Sequence, residues 1–551
     1  MTRVQKIKGW VRHEWPLLAL LTLAFVLRVV GVGYGLPLTV VSDETPFTFA
    51  ALKMLQLKTL IPAFHPEVFQ SILPYPPYLS YILLLPFTII LGVQYLLWQG
   101  SAELFQAHLI SDLSVFFITA RLFNVLLGTL SVFLVYRIAQ TLFRSRIAAL
   151  AAGSLLATSI LHIALSMVGR NWIPVSFIFL LIFFMLTREW SLQRRYVWAF
   201  IVAGIGMGIS SLCAFFCVFI GLYYHLFDMH SPRQALRDLP RHGIGALIFL
   251  ALAIFPSLLY QSGNAFLGAV TLFEQKSLVG FLVSPWSALS LIVYSEPVLA
   301  ALFLLGLVLM GMTHRRLTAL IAGWSLFYIA VFYFLFRFDA RFLVPLLPLF
   351  ALVGGYAVAR VWSRRTMVPI LIALALPLCV AFQVSFLALQ SDTRDHAREW
   401  VLAHLTSDDK LLVFSSAMHV PTQKAAVEEL RDIDADAIRA IDEADETIDR
   451  ADVPYALNNL TSMKNAEFID ALPAYAKKHN YTYLMVEPRS LVLFPEMAEA
   501  FTSITKEAGV VQQFDGLGDS TSLFNSAFLD AFPILFSGRS FGPDILIYRF
   551  Q

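Results

Sequence analysis

The sequence predicts a polytopic α-helical membrane protein of about eleven transmembrane helices, followed by a small soluble α/β domain at the C-terminus. Three observations carry this expectation. The 551 residues are 58% hydrophobic and 14% charged, and mean hydropathy is +0.70, whereas soluble chains are roughly 45–50% apolar and 25% charged. Charge is unevenly distributed: residues 16–390 are largely apolar, and 391–551 read like an ordinary soluble domain. Basic residues also recur in the short loops on one side of the predicted membrane. The chain therefore divides into a membrane domain, 1–390, and a soluble domain, 391–551. The total charge of +2 averages two unlike regions, and no nucleic acid is expected as a partner.

The N-terminus is basic (Arg3, Lys6, Lys8, Arg12), but the apolar run after it is too long for a signal peptide and no small-residue cleavage site follows. It reads as the first of the spans 16–38, 117–140, 147–168, 172–187, 197–212, 213–228, 243–261, 296–313, 317–336, 342–361 and 366–389. With these spans, the basic N-terminus and the clusters Arg137/Arg144/Arg146, Arg188/Arg194/Arg195, Arg233/Arg237/Arg241, Arg315/Arg316 and Arg360/Arg364/Arg365 all fall on the cytoplasmic side. The same count places residues 391–551 outside a cell membrane. Residues 78–98 (YLSYILLLPFTIILGVQYLLW) are long enough to span, but a crossing there would invert every later loop. The segment 39–116 therefore reads as one large external loop with amphipathic helices. Within it, 78–98 lies in or dips into the outer leaflet, and Pro86 and Gly92 suit a broken helix.

In the soluble part, DTRDHAREWVLAHL (392–405) has a helical pattern, while KLLVFSS (410–416), YTYLMVE (481–487) and DILIYRF (544–550) read as strands. The acidic stretch 426–452 reads as a solvated helix face. Cys213, Cys217 and Cys379 lie in apolar stretches without histidine neighbours and read as packing residues. No internal inverted repeat of the transporter kind is visible.

Chemistry concentrates at the predicted outer face. Asp43 and Glu44 follow the first span directly in GYGLPLTVVSDETPFTFAALKML, an acidic pair between two apolar runs. A carboxylate at a membrane boundary is biased toward proton uptake and suits a general base. The competing reading is a cap from Ser42 or Asp43 on an amphipathic helix over 45–58. Arg337, Asp339 and Arg341 lie together in LFRFDARFLVPLLPLF. The guanidinium fork there suits a phosphate, against the alternative of snorkelling anchors with an internal Arg–Asp pair. Arg28 and Arg121 are charges at membrane depth, where a partner is expected. Arg170-Asn171 adds a cation and an amide in SMVGRNWIP, and the large loop carries His65-Pro-Glu67 and Tyr75-Pro-Pro-Tyr78. The spacing of His65 and Glu67 matches no standard metal site.

The acidic pair, the aromatic-Pro-Pro segment and RLFNVLLGTLSVFLVYRIAQTLFRSRIAALAAGSLLATSILHIALSMVGRN together resemble the GT-C membrane glycosyltransferases. Relatives include the protein O-mannosyltransferases and the aminoarabinose transferases. FDARFLVPLLPLFALVGGYAV and TRDHAREWVLAHL fit members with an external C-terminal domain, and the resemblance covers most of residues 16–400 in order. It implies transfer of a sugar from a polyprenyl-phosphate carrier to a lipid, glycan or protein acceptor at the outer face, with inversion. Asp43 would be the base, Glu44 its neighbour, and Arg341 with Arg337 the holders of the phosphate. Asp339, His65, Arg170, Asn171 and Tyr75 would be accessory. Many relatives carry another carboxylate where this chain has Arg170-Asn171, so no cofactor is fixed and dependence on a divalent metal stays open. Two rivals remain: a transporter or flippase of lipid-linked substrates, and a non-catalytic assembly protein that keeps the fold.

Overall fold

The computed structural model describes residues 3–41, 44–229, 231–260, 277–335, 340–415, 418–493, 495–506, 508–517, 531–536 and 538–550. Asp43, Arg337 and Asp339 lie outside the described residues. The helical part opens with α1 (Arg3–Val29), α2 (Thr45–Leu57), α3 (Pro66–Ile72), α4 (Tyr78–Leu97) and α5 (Ala102–Ser111). There follow α6 (Ser114–Phe143), α7 (Arg146–Ala157), α8 (Ile160–Ser166), α9 (Trp172–Leu186), α10 (Leu192–Met207), α11 (Phe216–Tyr223) and α12 (Pro232–Leu259). The bundle closes with α13 (Leu278–Ser295), α14 (Pro297–Thr313), α15 (Arg315–Leu335), α16 (Leu347–Val361) and α17 (Met367–Leu387).

Among the described residues, five helices are long and apolar enough to cross a membrane, or six if the bent pair α7–α8 is one span. Five more are apolar but only 10–17 residues long, among them Trp172–Leu186, Pro297–Thr313 and Leu347–Val361. A helix of 15 residues reaches only about 22 Å, so helix length alone does not establish a count of eleven. One apolar core runs through α1, α6–α11 and α13–α17. Small residues let its helices approach closely. A Cβ at Gly355 would lie 2.6 Å from the Ala148 carbonyl oxygen, and one at Gly306 would lie 2.3 Å from that of Val353.

Two features depart from the sequence reading. Helix α13 has no counterpart among the expected spans, although LVGFLVSPWSALSLIVYS carries no charged residue and is apolar apart from its serines and Pro285. The serines turn back on the helix: Ser284, Ser290 and Ser295 donate to the carbonyls of Phe281, Ser287 and Leu291 at 2.8 Å each. A hydroxyl satisfied this way behaves as an apolar surface residue. The expected span 147–168 is also broken, with a 58° bend between α7 and α8. A break inside an apolar core strands helix-end carbonyls and amides, and two buried ionisable side chains supply the missing partners. Arg28 donates to the Leu156 and Ala157 carbonyls at 3.0 and 3.1 Å and meets His162 Nδ1 at 3.0 Å. Glu296 accepts from Ser159 Oγ at 2.6 Å and from the Leu161 amide at 3.1 Å. The cation therefore sits at the negative end of α7 and the carboxylate at the positive end of α8, as the helix dipole favours.

The C-terminal part runs α18 (Thr393–His404), β1 (Lys410–Phe414), α19 (Lys424–Ile433), α20 (Ala440–Ile448), β2 (Tyr455–Leu457), α21 (Ala466–Lys478) and β3 (Tyr483–Val486). It continues with α22 (Pro488–Leu493), α23 (Pro495–Thr505), β4 (Ala508–Phe514), α24 (Ala531–Phe536) and β5 (Ile545–Phe550). The strands form one sheet in the order β2-β1-β3-β5-β4. Strand β1 is parallel to β2 and β3, and β5 is antiparallel to β3 and β4. The run KLLVF is apolar at successive positions because both faces are covered. Leu412 and Phe414 enter one core with α19, α21 and α23, while Leu411 and Val413 enter the other with Ala397 and Val401 of α18.

This sheet is anchored to the helical part through the loop after α1. Tyr34 donates its hydroxyl to Asp392 Oδ2 at 2.5 Å and meets the ring of Phe541 edge-on at 5.7 Å. Asp392 caps α18 in a reciprocal capping box with Asp395. Thr393 bonds the Phe541 and Pro543 carbonyls at 3.0 and 2.6 Å. Gly542, at φ 122°, would place a Cβ 2.0 Å from Thr393 Oγ1, so the close approach requires glycine.

Candidate active site

The acidic segment after the first helix is where the fold converges. Glu44 precedes α2 but makes no side-chain cap on it. Its carboxylate turns inward instead and is completely buried. Arg121 on α6 meets it as a fork: Nε donates to Oε2 at 3.0 Å, and Nη2 pairs with Oε1. The Gly169 amide adds a third bond to Oε2 at 2.9 Å. Arg121 Nη1 in turn holds the carbonyls of Val32 and Tyr34, both at 2.8 Å. One guanidinium thereby ties the loop after α1 to the residue that starts α2. Such a pair is stable only when its remaining hydrogen bonds are also made, and here they are.

One helical turn along α6, Asn124 donates to the Val168 carbonyl and, at 2.6 Å, to that of Arg170. This pins the turn between α8 and α9. A Cβ on Gly169 would lie 3.0 Å from Ala120 Cβ and 3.5 Å from Glu44 Oε2. Arg170 and Asn171 are buried in the same turn. In the sequence Arg121 stands out only as a charge at membrane depth, and neither Asn124 nor Gly169 stands out at all. The spacing of Arg121 and Asn124, three residues apart on one helix face, was the available signal.

Above this anchor lies a cavity of about 1040 Å³ whose lining includes Val40 and Thr45, on either side of the acidic pair in the chain. One wall is apolar and comes from α2, α5 and their neighbours, including Phe49, Leu52, Leu109, Ile110 and Phe116. The other wall is polar and comes from the C-terminal part: Arg394, His419, Arg439, Glu487 and Arg489, with Lys53 of α2 added from the helical side.

The polar wall is held from behind. Arg394 grips Asp392 with two bonds, at 2.7 and 2.9 Å. Burial would raise the Asp392 carboxyl, but the Arg394 guanidinium and the Tyr34 hydroxyl bring it below the usual range. His419 Nε2 contacts Asp445 Oδ2 at 2.8 Å, and its Nδ1 lies 3.5 Å from Asp442 Oδ1 and 3.1 Å from Arg439 Nη2. Arg439 Nε donates to Asp442 at 3.2 Å. Burial would also raise Asp442, yet the His419 hydrogen bond and the Arg439 guanidinium outweigh it and hold the carboxyl at about 2. Asp395 moves the other way: burial, then the Asp392 charge, push it up to about 6. The acidic stretch expected to face solvent thus buries Asp442 and Asp445 to orient side chains at the cavity.

Tyr75 stacks on Phe47 at 5.1 Å, and Ser80 Oγ donates to the Phe47 carbonyl at 3.0 Å, so the aromatic-Pro-Pro segment braces the start of α2. His65 and Glu67 form a contact of 3.5 Å that is partly open to solvent. Among the described residues, no group of three or more His, Cys, Asp or Glu is arranged to hold a metal ion. Arg341 lies in the short 3₁₀ turn Ala340–Leu343, its guanidinium 5.2 Å from the Phe342 ring. The structure does not bring Arg341 into the wall of the large cavity.

Comparison with known proteins bears on the helical part. Residues 105–260 match the profile of the dolichyl-phosphate-mannose-protein mannosyltransferase family. Over that segment the chain is glycosyltransferase-like. The matched span contains Arg121, Asn124 and Gly169, and it takes in the run RLFNVLLGTLSVFLVYRIAQTLFRSRIAALAAGSLLATSILHIALSMVGRN. None of the curated proteins matches the chain. Among solved structures, ArnT from Cupriavidus metallidurans bound to undecaprenyl phosphate is similar over 98% of both chains, at 12% identity and a TM-score of 0.47. The archaeal oligosaccharyltransferase AglB from Archaeoglobus fulgidus, in complex with an inhibitory peptide and a dolichol-phosphate, is similar over 92% of this chain and 74% of its own. Its identity is 13% and its TM-score 0.44. The arabinofuranosyltransferase AftD from Mycobacteria is similar over 79% of this chain and 34% of its own, at 14% identity and a TM-score of 0.33.

Proposed function

We propose that this protein transfers a sugar from a polyprenyl-phosphate-linked donor to an acceptor hydroxyl at the outer face of a cell membrane, inverting the anomeric centre. The observation that carries the reading is the two-sided cavity of about 1040 Å³. An apolar wall suits a polyprenyl chain, and a polar wall suits the groups that react. It is lined by the chain neighbours of an acidic pair whose second member is locked in place. Asp43 takes the proton from the acceptor hydroxyl. The hydroxyl oxygen attacks the anomeric carbon, and the carbon–oxygen bond to the carrier phosphate breaks. The electron pair leaves on that phosphate, which Arg341 with Arg337, the arginines the GT-C resemblance assigns to it, stabilises from outside the described lining of the cavity. A single displacement of this kind inverts configuration. Glu44, fully committed to Arg121 and Gly169, acts as a positioning residue that fixes the chain beside Asp43. The N-terminus is cytoplasmic and the C-terminal domain external, an orientation supported by the basic loops.

A transporter uses broken helices to present half-helix ends to its cargo near the midplane. Here both ends of the broken span are occupied by the chain's own Arg28 and Glu296, which are buried. That favours chemistry at one surface over passage through the bundle. The test is reconstitution of the full chain in proteoliposomes with a panel of labelled polyprenyl-phosphate sugars and a crude membrane extract as acceptor. Label that leaves the lipid for an acceptor supports the reading. A folded protein that turns over no donor would shift it to the non-catalytic assembly alternative.

A further inference from the structure

The charges around the cavity are lopsided. Among its described lining residues, the basic side chains besides His419 are Lys53, Arg394, Arg439 and Arg489, and the one acidic side chain is Glu487. Glu487 is mostly buried and accepts from Ser415 Oγ at 2.9 Å, so it is held against the end of the neighbouring strand β1. The carboxylates that neutralise Arg394 and Arg439 are Asp392 and Asp442, exposed by 0% and 1%. They sit behind the guanidiniums and are not themselves part of the lining. The cations also come from separate places: α2, the start of α18, the start of α20 and the segment after β3. Ion pairing that served only to hold the sheet together would not need to converge on one cavity from four elements. Arginine forks in a largely apolar cavity favour phosphate or carboxylate oxygens.

We propose that the acceptor carries an anionic group, a phosphate or a carboxylate, and that Lys53, Arg394, Arg439 and Arg489 recognise it. This rests on the glycosyltransferase reading and adds a substrate class to it. The donor's own phosphate is assigned to Arg341 and Arg337, which the sequence places in a different segment. The C-terminal domain thereby selects the acceptor by charge, while the helical part carries out the transfer.

The test separates recognition from turnover. The full chain is placed in nanodiscs of phosphatidylcholine, and binding of dodecyl phosphate is measured beside that of its neutral counterpart, dodecyl glucoside. The expected result is preferential binding of dodecyl phosphate, weakened by about tenfold or more in an Arg439→Gln/Arg489→Gln variant. Because Arg439 also braces Asp442, Lys53→Gln serves as an independent variant. Lys53 is exposed, and its nearest fixed partner is Gln56 at 2.8 Å. It should weaken binding by roughly threefold to tenfold without altering the fold. Short-chain polyprenyl phosphate, whose chain shares the apolar wall, should displace the probe no more than the uncharged polyprenol of the same length does. Equal binding of the neutral probe, or unchanged binding in both variants, would overturn the proposal. So would displacement by polyprenyl phosphate well beyond that by polyprenol, because the cations would then serve the donor. None of these outcomes depends on catalysis, so failure of the enzyme assay and failure of this proposal are distinguishable.

Discussion

Replacing Arg121 with methionine leaves the Glu44 carboxylate, which is fully buried, with only the Gly169 amide. It also removes the donors to the Val32 and Tyr34 carbonyls. Breaking one side of a buried ion pair costs about 3–5 kcal/mol, and stranded carbonyls add about 1 kcal/mol or more each. Against typical stabilities of about 5–15 kcal/mol, this is a large fraction. Most of the loss arises from the orphaned charge and not from the missing attraction. The Glu44→Gln/Arg121→Met double variant should therefore recover much of it. The assay is a double-mutant cycle by chemical denaturation in mixed micelles. We expect the double variant to be about 2–3 kcal/mol more stable than Arg121→Met alone. A difference within about 0.5 kcal/mol, the usual additivity limit, would refute the claim that this pair anchors the site.

Three further predictions test its surroundings. Gly169→Ala pushes a methyl toward Ala120 and the Glu44 carboxylate. It should cost about 1–3 kcal/mol of stability and lower turnover by more than the loss of folded protein explains, as read from kcat on the folded fraction. Tyr34→Phe removes the hydroxyl bonded to buried Asp392. It should cost about 1–3 kcal/mol and accelerate proteolysis between the helical part and the sheet, whereas unchanged protease resistance would count against that contact. The Asp395 carboxyl is held up at about 6 by burial and the Asp392 charge. Its folded value lies above its unfolded one, so its stabilising contribution is present below about pH 4 and lost as pH rises through about 6. Asp395→Asn should flatten that fall in the denaturation midpoint between pH 4 and 7, and an identical slope in both proteins would contradict the assignment.

Much of the helical architecture is legible in the sequence because apolar run length and loop charge are local signals. What escapes are features set by distant partners. The break at 158–159 lies in a stretch that reads as continuous, and only Arg28 and Glu296, far away in sequence, make it tolerable. The acidic pair stands out because charges are rare beside a span. Its partner Arg121 also stands out, but nothing local pairs Arg121 with Glu44, 77 residues away. The polar wall is least legible. Arg394, Arg439, Arg489 and His419 lie in ordinary soluble sequence, where charge is common and carries little information. The acidic stretch 426–452 misleads for the same reason, since composition does not reveal that Asp442 and Asp445 turn inward.

The most direct test of the account is transfer from a labelled polyprenyl-phosphate sugar in proteoliposomes by wild type and by Asp43→Asn, each shown to be folded and to bind the donor. The account predicts a drop of at least about a hundredfold in the variant, the low end for losing a general base. Equal transfer by both proteins would contradict it.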